Sequence, residues 1–490
     1  MTDAMPILLM LCPLVSAVII FFLREENERL RTTINIGSSL LKLGLVAWTL
    51  EGVGRGVIYE YRLEFVLGLY MLLRIDALAL LFIALSSFLW LVTTVYAIAY
   101  FRGTANLSRF FGFFNLCVFA TTGIALSGSL ISFFFFYELL TLSTWPLVVH
   151  KGDHESLAAG RTYLGYTMVG SAVLLFAIVW MEGTTGPVEF VAPPELDKLS
   201  GTAQGAIFAL LVAGLAVKTA IVPVHSWLPK AMAAPAPVTA LLHAVAVVKA
   251  GAFGIVRIIY DVYGIDRMAE HSLGVPLAMA ASVTIIYGSL KALQQTDIKR
   301  MLAFSTVSQI SYIVLGASLP GPFATIGGLV HLVHQGLMKI TLFFAAGVLA
   351  ERRGVHSVSQ MAGIGRRMPL TMLAFSVAAL GLIGVPPLAG FVSKWYLGIG
   401  GLQAGHPWVI LVLAASSLLN AAYFLPLIYR AWFTEGPDSL EQYDGKEGPT
   451  ALILPAVVTA FATLGVGVLA GFAFSPLGWA SLIVQREYIP

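Results

Sequence analysis

Six lysines, Lys42, Lys218, Lys249, Lys291, Lys339 and Lys394, fall inside long apolar stretches of the sequence, and no arginine is expected there. A charge at the centre of a bilayer costs about 2.5–3.5 kcal/mol on insertion scales. Lysine escapes that cost by releasing its proton, whereas arginine stays charged. In-span lysines without in-span arginines therefore point to groups that titrate. Two other roles fit such a lysine: snorkelling to the interface and hydrogen bonding between helices. Lys42, and Lys291 close to a span end, read as one of these. Lys218, Lys249, Lys339 and Lys394 lie deep and read as proton-exchanging groups.

Of 26 acidic residues, Glu138 is the one placed deep in an apolar run, Phe135-Phe136-Tyr137-Glu138-Leu139-Leu140. A carboxylate there needs a cation or a proton. An ion pair with a lysine and a part in a proton relay are compatible roles for it. His331, Gln335 and Lys339 are four residues apart and share one helix stripe, with His334 beside them. Imidazole titrates near pH 6.5 and can hand protons between lysines; a purely structural role fits this pair of histidines equally well. His225 and His243 are weaker candidates. A sodium site would need converging oxygen ligands. Ser305, Thr306, Ser308, Gln309 and Ser311 cluster in one span, but small polar residues there more often bond to neighbouring helices.

Proline marks where two of these helices should break. Pro223 falls five residues after Lys218, and Pro386 and Pro387 precede Lys394. Proline removes a backbone donor, and the freed carbonyls are tolerated at membrane depth only inside protein or beside water. Two proline-interrupted spans in separate halves of the chain, each carrying a lysine, form the pattern of an inverted-repeat transporter.

The elements that must hold these residues are membrane helices. The chain has 490 residues, 58% hydrophobic and 11% charged, against about 25% charged in soluble proteins. Its mean hydropathy is +0.86. A net charge of +3 without a basic cluster excludes nucleic-acid binding. Cys12 and Cys117 both lie in apolar runs and cannot form a thiolate cage. Runs of about 20 apolar residues, enough to cross a bilayer core, lie near 5–23, 33–50, 77–100, 110–127, 129–149, 160–181, 203–227, 237–260, 274–293, 300–318, 322–349, 369–397, 407–432 and 450–474. These are fourteen spans of an all-α polytopic membrane protein. Sixteen lysines and arginines then fall on the face of the first loop, from Arg24 to Lys446, and seven on the opposite face, including Arg55, Arg74, Arg257 and Arg486. That bias predicts both termini on the outer side. Arg24, Arg29 and Arg31 follow the first run and no positive charge precedes it, which fits an uncleaved first span.

At these residues the chain resembles the antiporter-like subunits shared by respiratory complex I, the multisubunit Mrp cation/proton antiporters and the membrane-bound hydrogenases. The resemblance runs from about 75 to 435. It rests on Lys218 to Arg257 (with Pro223, Trp227-Leu228-Pro229, Ala234-Pro235-Ala236-Pro237, His243 and Val248-Lys249-Ala250-Gly251), on Gln295 to Gln309, on His331 to Phe344, and on the segment ending at Lys394. It implies fourteen helices, with helices four to eight and nine to thirteen forming two inverted repeats and helices seven and twelve broken. On this chain it implies blocks at 1–108, 109–262, 272–433 and 450–490. It also implies that Glu138 modulates Lys218, that Lys249 bridges, that His331 and Lys339 relay, and that Lys394 ends the line. Two positions depart from the pattern: Gln335 stands where many members have histidine, with His334 shifted by one, and Lys230 follows Trp-Leu-Pro. The chain ends soon after its last span, so the long lateral helix of one complex I subunit type is not expected.

The expected function is proton translocation by a subunit of a larger complex in the cell inner membrane. The sequence has no phosphate-binding loop, dinucleotide fingerprint or cluster-ligand set, so the chain itself is expected to bind no cofactor or metal. The driving step would come from partner membrane subunits of a redox complex. The alternatives are an Mrp-type exchanger driven by a cation gradient, with sodium as the second ion, and a stand-alone carrier.

Overall fold

The computed structural model describes residues 4–66, 69–190, 194–436 and 447–488. Its helices are α1 (Met5–Phe21), α2 (Glu28–Gly54), α3 (Ala77–Tyr100), α4 (Leu107–Leu126), α5 (Leu130–Val148), α6 (His154–Thr185), α7 (Gly201–Thr219), α8 (Trp227–Lys230), α9 (Ala236–Ala244), α10 (Val247–Arg257), α11 (Gly264–Glu270), α12 (Gly274–Leu293), α13 (Ile298–Ser318), α14 (Pro322–Arg353), α15 (Ile364–Arg367), α16 (Pro369–Ile383), α17 (Ala389–Gln403), α18 (Trp408–Phe433), α19 (Thr450–Val468) and α20 (Pro476–Ile483). Among the described residues, twelve stretches are long and apolar enough to cross a membrane, and the shorter apolar helices α1 and α16 bring the crossings to fourteen.

Polar caps fix where several helices start. Asp76 accepts from the Ala79 amide at 2.6 Å, Asp153 from Ser156 at 2.8 Å and Asp297 from Arg300 at 2.7 Å. Each satisfies an amide that has no partner within its own helix. Proline opens α14 and α16, where its missing N–H is not needed.

Bonds between loops sort the chain ends of the helices into two faces. On the face of the first loop, Glu25 accepts from the amides of Leu107 and Ser108, Arg300 approaches Glu155 at 3.9 Å, and Glu447 accepts from the amides of Leu370 and Thr371. On the opposite face Arg62 pairs with Glu189 at 2.9 Å, and Arg267 pairs with Asp197. This alternation matches the two sets of charges read from the sequence. Lys446, counted with the first-loop charges, lies outside the described residues.

The structure adds one small element to the helical fold and corrects one expectation. β1 (Tyr59–Val66) pairs antiparallel with β2 (Leu69–Ile75), in register Tyr59 to Ile75 and Arg62 to Leu72. The strict polar alternation of Tyr59-Glu60-Tyr61-Arg62-Leu63-Glu64 is a strand period. The strand pair lies on the opposite face and leaves the spans helical. Arginine is also present inside helices: Arg31 is buried in α2, and Arg257 is 1% exposed in α10. Arg257 holds Asp76 through both guanidinium nitrogens, at 2.7 and 2.9 Å, and Asp261 at 2.9 Å. Asp261, in the π-helical turn Ile258–Tyr263, is therefore a second acid within the eighth span. A charge this deep is tolerated because both partners are present.

A line of lysines through the bundle

The centre of the bundle is α14, whose residues are all buried from Ala324 to Leu349. A helix apolar on every side belongs inside a protein, yet this one carries His331, His334, Gln335 and Lys339, all without exposed surface. The helices around it bring the other lysines.

Lys218 is the penultimate residue of α7. The helix stops at Thr219 because Ala220 turns left-handed, at φ +58°, and the Val222–Pro223 bond is cis. The chain resumes helically only at Trp227, whose indole N–H returns to the Val217 carbonyl at 2.7 Å. Lys218 donates to the Tyr137 carbonyl and lies 3.2 Å from the centroid of the Tyr137 ring. Glu138, the next residue, accepts from the Ser171 hydroxyl on α6. Among the described residues no cation lies within 4.0 Å of Glu138. The lysine and the acid are thus neighbours that do not form an ion pair here.

Lys249 stands two residues into α10, just past an interruption at Val245–Ala246 that no proline or glycine announces. Gly251 lets α10 lie against the end of α7: a Cβ there would come within 2.6 Å of the Thr219 amide nitrogen. The Lys249 ammonium donates to the Leu332 carbonyl on α14. Lys339, two turns further along α14, donates to the Leu302 carbonyl at 3.1 Å and to the Ser305 hydroxyl.

The far end repeats the plan of the seventh span. α16 stops at Ile383, Gly384 turns left-handed at φ +96°, the Pro386–Pro387 bond is cis, and α17 begins at Ala389. Lys394 reaches back to the Leu382 and Ile383 carbonyls at the broken end of α16, at 3.0 and 2.8 Å, and to the Ser417 hydroxyl at 2.7 Å; Leu382 also accepts from Asn420 at 3.1 Å. His331 bridges to α17 through Ser393, 2.8 Å from its Nδ1, and stacks on Tyr312 at 5.0 Å. Lys394 lies 5.7 Å from the centroid of the same Tyr312 ring.

Between these lysines lie buried polar groups with no protein partner among the described residues: both nitrogens of His243 and His334, Nε2 of His331, and the side-chain amides of Gln309 and Gln335. Buried polar atoms are bonded in nearly all proteins, so groups collected in this number require water. His243 was only a weak candidate in the sequence; it packs at 4.6 Å on Phe343, beside α14. Lys42 neither snorkels nor joins this line. It is fully buried among α2, α3 and α4. Lys291 sits near the end of α12 by Gln294, and Lys230 is exposed. Apart from Gln309, the polar cluster on α13 bonds within its own helix or to its neighbours, as Ser308 does to Ser289 at 2.9 Å.

Each membrane face carries a polar cavity. On the first-loop face, one of about 370 Å³ is lined by Lys151, Glu155, Lys230, Lys299, Arg300 and His356. On the opposite face, one of about 350 Å³ is lined by Arg74, Asp76, Asp261 and Arg486.

Residues 127–420 match the family described as NADH:quinone oxidoreductase/Mrp antiporter, transmembrane region. The NADH-quinone oxidoreductase subunit N of Desulforudis audaxviator is 36% identical over 414 residues, covering 81% of this chain and 80% of its own. The hydrogenase-4 component B of Escherichia coli K12 is 30% identical over 420 residues, and this chain spans 61% of its length. A chain in the Mrp complex from Dietzia sp. DQ12-45-1b superposes with a TM-score of 0.88 over 99% of this chain and 98% of its own, at 24% identity.

Proposed function

This chain belongs to the NADH:quinone oxidoreductase/Mrp antiporter family, and from that premise we propose that it carries protons along the lysine line as a subunit of a redox-driven membrane complex. The observation that carries the reading is the set Lys218, Lys249, Lys339 and Lys394: four buried lysines, each held by carbonyls or hydroxyls and, among the described residues, none by a carboxylate. Fixed structural cations would be matched by anions, as Arg257 is by Asp76 and Asp261. Amines on neutral acceptors can gain and lose a proton without stranding a counter-charge.

Lys218 exchanges its proton as Glu138 turns toward it or away. Lys249, His331, His334 and Lys339 pass it through the water that the unpartnered groups of α14 require. Lys394 closes the line where α16 and α17 part. The polar cavities on the two faces supply half-channels to water. Residues 109–262 and 272–433 are the two halves related by inversion, each contributing one broken helix. Moving one charge against 100 mV requires about 2.3 kcal/mol, so partner subunits supply the drive. The reading places the chain in a cell inner membrane with both termini outward.

The test is proton translocation by the intact complex in sealed vesicles. Lys218→Ala and Glu138→Ala should each reduce it at least tenfold while the subunit still assembles; full pumping by both would overturn the relay. Purification from the host in mild detergent separates the drives. Co-purifying quinone-site or iron–sulfur subunits support the redox reading. Small membrane subunits with a second antiporter-like chain would replace it with cation/proton exchange, the reading that likeness to a chain of an Mrp complex favours.

A further inference from the structure

α2 is built inside out. Its lipid-side surface carries Leu40, Leu41 and Trp48, all more than half exposed, while its inward stripe reads Arg31, Asn35, Ser39, Lys42, Val46, Thr49 and Val53. From Arg31 to Lys42 every position on that stripe is polar. The polar groups also have counterparts across the interface. Arg31 donates to Ser108 at 3.0 Å, Asn35 accepts from Asn115 at 2.9 Å, and Lys42 donates to Thr122 at 2.6 Å. Asn115 in turn accepts from the Trp90 indole at 3.2 Å. Ser108, Asn115 and Thr122 lie seven residues apart on α4, so the two helices share a polar seam.

The seam has one open end. On the first-loop face it begins at Glu25, whose side chain is half exposed, and which accepts from the first amides of α4 and lies 3.9 Å from Arg31. It runs roughly 16 Å along α2 to Lys42. Beyond Lys42 it closes: Val46 is 1% exposed, and the Thr49 hydroxyl is taken up by the Leu45 and Val46 carbonyls.

Lys42 itself has three donors, one hydroxyl acceptor and the Trp90 ring at 5.5 Å. Cys12 on α1 is the titratable group that faces it; α3 and α4 bring Trp90 and Thr122, and among the described residues no carboxylate faces it. A lysine used only to tie α2 to α4 would not need Asn35, Ser39 and Arg31 laid out behind it toward the surface.

We infer that Lys42 is a second proton-binding site, separate from the lysine line and in exchange with the first-loop face alone, through the Arg31–Asn35–Ser39 seam. The neutral amine takes a proton from water in the seam and the ammonium returns it by the same route, so the site follows the proton activity of one face. The inference does not rest on the relay proposed above.

The test is labelling by a charged methanethiosulfonate, which needs both water and a thiolate. Ser39→Cys is made in a Cys12→Ser chain, in the intact complex, in sealed vesicles of both orientations. Cys117 is retained; the parent chain without Ser39→Cys gives the background. Ser39→Cys should react at least tenfold faster from the first-loop face than from the opposite face, and Val46→Cys should react from neither. Reaction of Ser39→Cys no faster than lipid-facing Leu40→Cys would show a sealed helix tie and overturn the site. Equal reaction from both faces would overturn its single-sidedness. Because Ser39→Cys leaves Lys42 and its bonds in place, the assay survives even if Lys42→Met prevents assembly.

Discussion

At the scale of single residues, the lysines of the line are held by main-chain carbonyls and hydroxyls of neighbouring helices. Lys394 is the plainest case, since its partners are the last two carbonyls of α16. Gly384 makes that contact possible: a Cβ there would sit 2.9 Å from Lys394 Cδ, at a φ of +96°. Gly384→Ala should therefore displace the lysine, lowering proton translocation severalfold with stability reduced by about 1 kcal/mol. Unchanged translocation in vesicles would show that Lys394 does not depend on that geometry. The lysines were legible in the sequence because membrane depth leaves an amine few roles. The orientation of Glu138 toward Ser171 was not, because nothing in Tyr137-Glu138 says which neighbour the carboxylate meets. Arg257 was misread for a related reason. Asp261 lies one helical turn from Arg257, but Asp76, 181 positions away, meets it only in the fold.

At the scale of elements, the breaks in the seventh and twelfth spans were legible because proline announces them. The interruption before Lys249 was not: Ala244-Val245-Ala246-Val247 holds no breaker, and tertiary packing imposes the bend. The strands between α2 and α3 are readable from the alternation of Tyr59 to Glu64, a period that span-length apolar runs do not share. The strands' neighbour, the Asp76–Arg257–Asp261 cluster, joins the start of α3 to the end of α10. Arg257→Ala leaves two buried carboxylates unpaired and should destabilise the protein by about 3–5 kcal/mol. A detergent melting experiment checks this; a melting temperature equal to that of the parent chain would mean that water already neutralises the pair. Glu447→Ala should have a smaller effect, about 1 kcal/mol, because it removes a cap from α16 that water can partly replace.

At the scale of the whole molecule, the charge count and the loop pairings divide the chain ends in the same way, so sidedness is a property that labelling can check. Single cysteines at Arg102 and Arg300 should react from one face, and cysteines at Arg62 and Lys198 from the other. Mixed reactivity within either pair would break the fourteen-span alternation.

The C-terminal segment gives the molecule a clock. Trp479 donates to the Ala77 carbonyl at the start of α3, and Arg486 donates to the Val53 and Gly54 carbonyls that end α2. These bonds link residues 402, 433 and 432 positions apart. At roughly 5–20 residues per second of synthesis, α2 and α3 wait for tens of seconds or more before their closing partners leave the ribosome. For that interval the end of α2 and the start of α3 stand without these closing bonds, held only by the helices made before and soon after them.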